Sequence, residues 1–242
     1  MNRTVAEQQM VKQVTGWMLG VAATSGLAAC GGEPAPAPSP SASISPDDPM
    51  PAITGPERRI LAFGDSLFAG YGLKEGESYP AKLEVALRAR GINARVTNAG
   101  VSGDTTQAGL QRLPFTLGNG GEYDLAIVEL GGNDLLRQLP PAQTRANLRA
   151  ILDELQERDI PVLLMGLRAP PNLGAQYQQV FDAIYPDLAR DYDAELVPFF
   201  LESVWNRPQL IQADRVHPTA DGIEAMVAAT VDEVAAAVPP PG

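Results

Sequence analysis

The chain has 242 residues, 45% of them apolar and 19% charged, a balance that suits a soluble domain and excludes wholesale disorder. Eighteen Lys and Arg against 29 Asp and Glu leave a net charge of −11. Such a surface repels phosphate backbones and argues against nucleic-acid binding. One cysteine excludes an internal disulfide framework and a Cys-cluster zinc site, and one histidine routes any imidazole chemistry through His217.

Residues 1–13 are polar and carry Arg3 and Lys12, residues 14–29 are apolar and small, and Cys30 follows. This greasy stretch is shorter than the roughly 20 residues a bilayer span needs, and its charged head and small-residue end read as an export signal, residues 1–29. The end itself, Leu27-Ala28-Ala29-Cys30, resembles a bacterial lipoprotein signal, which implies lipidation of Cys30 and a membrane partner through that anchor. The plainer alternative is a generic cleaved signal with a chance cysteine. One myristoyl-length chain binds a membrane only marginally, so durable anchoring relies on the several chains that the resemblance implies. Gly31 after the cysteine resembles an outer-membrane address, with the domain facing the periplasm or the cell surface.

Residues 30–56 read as a tether. Eight of the 26 residues after the cysteine are proline, a composition that favours extended backbone and a reach on the order of 80 Å. Residues 57–238 then form one α/β domain, and 239–242 a Pro-rich tail. Short apolar runs, expected as strands, lie at 59–63 (RILAF), 94–98 (ARVTN), 125–130 (LAIVEL), 161–166 (PVLLMG) and 195–199 (ELVPF). Continuous rather than alternating hydrophobicity suits strands of a parallel sheet covered on both faces. Helical patterns fall between and after them, at 79–90, 106–117, 141–158, 176–191 and 221–238, with Ser78 and Gly91 as end signals for the first. The alternation predicts an open, doubly wound sheet.

Ligands of such sheets bind at the carboxyl ends of the strands. Polar clusters sit after four of these strands: 64–67 (GDSL), 98–104 (NAGVSGD), 131–134 (GGND) and 214–217 (DRVH). Ser66 follows a strand, and its hydroxyl needs a base to become a nucleophile. His217 can serve, oriented by Asp214 three residues earlier. Acyl transfer also needs donors for an oxyanion, and the Ser66 N–H, the Gly103 N–H and the Asn133 side-chain amide are candidates. Asp65 is expected to hydrogen-bond the surrounding loops, and Asp104 and Asp134 to order local turns. Taken singly these residues are ordinary turn formers and caps; their order after successive strands is what carries the chemistry.

Together the four blocks resemble the SGNH (GDSL-type) hydrolases, closest to the bacterial thioesterase I, lysophospholipase L1 and arylesterase group. The likeness runs from about Arg59 to Val231 and includes 103–114 (GDTTQAGLQRLP), 182–188 (DAIYPDL) and 197–200 (VPFF). It implies a flavodoxin-like three-layer α/β/α sandwich with five parallel strands, Ser66 as nucleophile, Asp214 and His217 completing a triad, and Gly103 and Asn133 completing the oxyanion hole. No Gly-x-Ser-x-Gly elbow is present. No metal or organic cofactor is called for.

Leu67, Leu135 and Leu136, with Arg168, Ala169 and Pro170 after the fourth strand, are the candidates for a substrate groove. Expected substrates are aryl or short-to-medium acyl esters, or lysophospholipids. The alternatives are a polysaccharide deacetylase and a non-catalytic surface lipoprotein that keeps the scaffold for binding.

Overall fold

The structure is a computed structural model that describes residue 53, residues 55–120 and residues 122–240. All belong to the compact unit Asp47–Gly242. The signal-like segment, Cys30 and most of the tether lie outside the described residues. The domain takes hold of the chain at Gly55, whose carbonyl accepts from the Asn93 amide at 2.9 Å.

Five parallel strands, β1 (Arg58–Gly64), β2 (Ala94–Gly100), β3 (Leu125–Glu129), β4 (Val162–Met165) and β5 (Glu195–Val197), stand in the order β2-β1-β3-β4-β5. Period-two alternation divides the sheet between two cores. Ile60, Ala62, Leu125, Ile127, Leu163 and Met165 face the side covered by α2 (Tyr79–Ala89) and α8 (Ala220–Ala237). Leu61, Phe63, Ala126, Val128 and Leu164 face α3 (Thr106–Gly120) and α5 (Pro141–Gln156). All five residues of β3 are buried, the four apolar ones and Glu129 at its end. The edge strand β2 departs from that rule: Arg95, Asn98 and Thr97 leave much of it exposed.

Large aromatics close the first core. Phe68 stacks on Tyr79 with centroids 5.3 Å apart, and Phe200 meets Tyr79 edge-on at 4.8 Å. Each fully buried side chain of this size contributes about 1.5–3 kcal/mol. The Tyr79 hydroxyl bonds Thr230 Oγ1 at 2.7 Å, joining α2 to α8.

The helical stretch expected over 176–191 is two helices, α6 (Ala175–Asp182) and α7 (Ile184–Tyr192). Pro186 has no N–H to donate to the Asp182 carbonyl, so the ladder breaks at Ala183. Two short helices escaped the periodicity altogether: α1 (Ser66–Ala69) and α4 (Gly132–Leu136). Ser78 precedes α2 in extended backbone, but its side chain makes no capping bond.

Candidate active site

The sheet order reverses at β1, with β2 on one side and β3 on the other, and crevices at such switch points are where open α/β sheets bind ligands. The first short helix, α1, starts at Ser66 directly after β1. Asp65 caps it, accepting from the Leu67 N–H at 3.1 Å. This puts the Ser66 hydroxyl at the mouth of the crevice, half-buried.

His217 arrives from the far end of the chain on a tight loop. Ile211 and Pro218 form an antiparallel bridge, and the Gln212 N–H donates to the His217 carbonyl at 2.7 Å. Within that loop Asp214 Oδ1 accepts from the N–H groups of Val216 (2.9 Å) and His217 (3.0 Å). Its Oδ2 lies 2.7 Å from His217 Nδ1, and His217 Nε2 lies 2.8 Å from Ser66 Oγ. The hydrogen bond from His217, followed by that from Val216, holds the Asp214 carboxyl down at about 2. An ionised Asp214 forces Nδ1 to donate, so Nε2 of the neutral ring is left to accept the Ser66 proton.

Two residues the motifs did not announce support this ring. Tyr71 packs on it with centroids 4.4 Å apart. Gln212 donates through Nε2 to the carbonyls of Tyr71 and Pro218, both at 2.8 Å. Neither carries a local signature; only the meeting of two distant loops makes them visible.

The backbone N–H groups of Ser66 and Gly103 have no acceptor among the described residues. Gly103 has φ +87, a left-handed conformation that glycine enters without strain, and its carbonyl is held by Arg137 Nη2 at 2.9 Å. Asn133 sits in α4 and donates one amide hydrogen to Asp65 Oδ2 at 3.0 Å, which leaves its second hydrogen for a ligand. The helix is positioned by Gly131, whose φ is +121 and where a Cβ would strike the Tyr185 hydroxyl. That hydroxyl donates to the Leu130 carbonyl at 2.9 Å.

Behind Ser66 lies a pair of carboxyls. Glu129, the last residue of β3, is 0% exposed and its Oε1 has no partner. Oε2 receives the Asp65 N–H at 3.4 Å. Burial, then the nearby Asp65, pushes the Glu129 carboxyl well up; burial also raises Asp65, against the pull of its bonds from Leu67 and Asn133. Glu129 therefore holds the proton of this pair, and Asp65 acts as the acceptor that aims the Asn133 amide.

Asp134 is more than the local turn former expected of it. Fully buried, it accepts from Thr106 N (2.8 Å), Thr106 Oγ1 (2.5 Å) and Thr144 Oγ1 (3.1 Å), binding α4 to the starts of α3 and α5. Asp104 likewise reaches beyond its loop, pairing with Arg112 at 2.6 Å.

A cleft of about 740 Å³ opens beside Ser66 and Asn133. Of the groove candidates, Leu67, Leu135, Leu136, Arg168 and Pro170 line it. Ala169 does not: it is buried in the second core, its N–H donates to Asp182 Oδ1 at 2.7 Å, and its carbonyl accepts from Gln178. Alternation along the chain turns it inward between its two neighbours. The opposite wall, Phe199 to Pro208, was not singled out as a groove from the sequence.

The model of the GDSL-like Lipase/Acylhydrolase family matches residues 62–225. The thioesterase 1/protease 1/lysophospholipase L1 of Escherichia coli (strain K12) is 43% identical over 162 residues, 67% of this chain and 76% of that protein. An arylesterase of Vibrio mimicus is 39% identical over 169 residues, 70% of this chain and 84% of that protein. Among solved structures, AlinE4, described as an SGNH-hydrolase family esterase, superposes with a TM-score of 0.66 at 68% identity, covering 77% of this chain and 100% of its own. With the five-stranded sheet, the crevice at its switch point and these relatives in agreement, the chain belongs to the GDSL-like lipase/acylhydrolase (SGNH hydrolase) family and is a carboxylic ester hydrolase.

Proposed function

We propose that the chain is a serine esterase that cleaves aryl and short-to-medium acyl esters, or lysophospholipids, through an acyl-enzyme. The observation that carries this reading is the 2.8 Å contact between Ser66 Oγ and the Nε2 of a ring whose other nitrogen is held by Asp214. Ser66 Oγ attacks the ester carbonyl while its proton passes to His217 Nε2. The N–H groups of Ser66 and Gly103 and the free amide hydrogen of Asn133 receive the oxyanion. A single such donor is worth about 3–4 kcal/mol in the transition state. Collapse expels the alcohol, which takes the proton from His217; water then attacks the acyl-serine with His217 again as base.

The test is turnover of p-nitrophenyl acetate and butyrate. Ser66→Ala is expected to abolish it while circular dichroism stays unchanged, and unaltered rates would remove Ser66 from the reaction. Lysophosphatidylcholine, assayed beside an acyl series from acetyl to palmitoyl, separates the substrate classes.

The same reading places the enzyme outside the cytoplasm, lipid-anchored through Cys30, on the outer membrane. Its support is the signal-like segment and the position of the chain's one cysteine. Acyl-CoA is absent there, so thioesterase activity is incidental. Metabolic labelling with palmitate is expected to mark the chain and to fail for Cys30→Ala; labelling that persists removes the anchor.

A further inference from the structure

The catalytic cleft reverses the charge of the protein. On a chain with a net charge of −11, Arg168, Arg207 and Arg215 line the cleft, and the one acid among its lining residues is Asp65. That acid is 2% exposed and already bonded to Leu67 and Asn133. None of the three arginines has a carboxylate partner among the described residues. Seven other arginines among those residues do pair with acids, including Arg90 with Asp232, Arg145 with Asp187 and Arg158 with Glu154. Arg168 instead lies with its guanidinium 4.9 Å from the centre of the Phe199 ring, a stacking that leaves the N–H edges free to donate.

Arg215 adds an independent sign. Its φ is +62, a region that favours glycine and asparagine and strains a long side chain. Strain of this kind gathers at functional sites. Its place on the loop gives the direction of the effect. His217 hands its proton to the departing alcohol, so the alcohol part of the substrate leaves past the segment that carries Arg215, two residues before the ring.

Resting on the serine-esterase reading above, we infer that the cleft selects esters whose alcohol part bears a negative charge, a carboxylate or a phosphate, received by Arg215 with Arg207 and Arg168. A concave, low-dielectric wall of one sign concentrates the field on such a group, and the planar guanidinium fork matches both anions.

The test uses the full chain and two matched pairs of esters at low ionic strength. One pair is 4-acetoxybenzoate and its neutral methyl ester; the other is 1-hexanoylglycerol 3-phosphate and 1-hexanoylglycerol. The reading is the ratio of kcat/KM, charged over neutral. It is expected to exceed about tenfold in at least one pair, and to shrink as salt rises from about 0.02 to about 0.5 M. The pair that shows the preference assigns the anion. Arg215→Gly is expected to cut the ratio about five- to tenfold while relieving the backbone strain, so any general loosening of the loop cancels between charged and neutral members. Arg207→Gln and Arg168→Gln are expected to reduce it about two- to threefold each. A ratio at or below one in both pairs, or one that the triple variant leaves unchanged, overturns the inference. Ser66-dependent hydrolysis with a ratio of one sinks this selectivity alone, whereas hydrolysis that survives Ser66→Ala sinks the serine-esterase reading.

Discussion

Two carboxylates brace the reactive groups, and they do so from opposite environments. Asp214 stands on an exposed loop, where the imidazole and two backbone N–H groups keep it ionised with its carboxyl held at about 2. Asp65 is 2% exposed at the end of β1, backed by the proton-bearing Glu129, and its carboxyl is raised by burial. In the proposed reaction the first orients a base that changes charge. The second orients an amide that stays neutral throughout. Water access suits the former, because solvent and Asp214 together stabilise the imidazolium, and dryness suits the latter, because a desolvated acceptor holds one donor in one place.

The largest effect comes from breaking the exposed side. Asp214→Asn is expected to lower kcat by about 10⁴-fold, since the amide can no longer hold the ring in its working tautomer; steady-state turnover of p-nitrophenyl acetate measures this. Loss of less than about tenfold would mean that another group orients His217. Acidification should not reproduce the loss through Asp214, which stays ionised until the pH approaches about 2.

Breaking the buried side costs less. Asp65→Ala frees the Asn133 amide to turn, with an expected drop of about 10²-fold in kcat and little change in KM, because an ångström of misplacement acts on the transition state. A matching rise in KM would make Asp65 a ground-state binding residue instead. Deeper still, Asp134→Ala orphans the Thr106 N–H and the hydroxyls of Thr106 and Thr144. The expected loss of stability is about 2–3 kcal/mol, measured by urea unfolding.

The smallest effect sharpens the contrast by titration. Glu129 keeps its proton in the folded chain but loses it in the unfolded chain as the pH rises through the ordinary carboxyl range. It therefore lowers stability increasingly towards neutral and alkaline pH, until the folded state also ionises. Glu129→Gln removes that dependence. Its melting temperature relative to the native chain is expected to rise between pH 5 and pH 8, and a difference independent of pH would show that Glu129 is ionised in both states.

Strand runs such as 59–63 and 125–130 were legible in the sequence because a strand buried on both faces is made mostly of apolar residues. The meeting of Ser66, Asn133 and the 214–217 loop was legible for a related reason: in a doubly wound sheet the residues after the strands fall on one edge, so they could be read as neighbours before any distance was known. Tyr71, Gln212 and Glu129 could not. Glu129 reads as one acidic interruption of an apolar strand, and only Asp65 beside it reveals its use. Ala169 was misread because neighbouring residues of a loop do not share a direction.

By itself, then, the amino-acid order determined the α/β alternation and the four polar blocks, since each depends on residues close together along the chain. Tertiary structure alone decided that the ring lies 2.8 Å from the serine, that a dry acid stands behind Asp65, and that three arginines share one cleft on an acidic protein. Those facts join residues as far as 151 positions apart. Contacts at that separation are set by which faces of the sheet and helices pack together, and no local pattern encodes them.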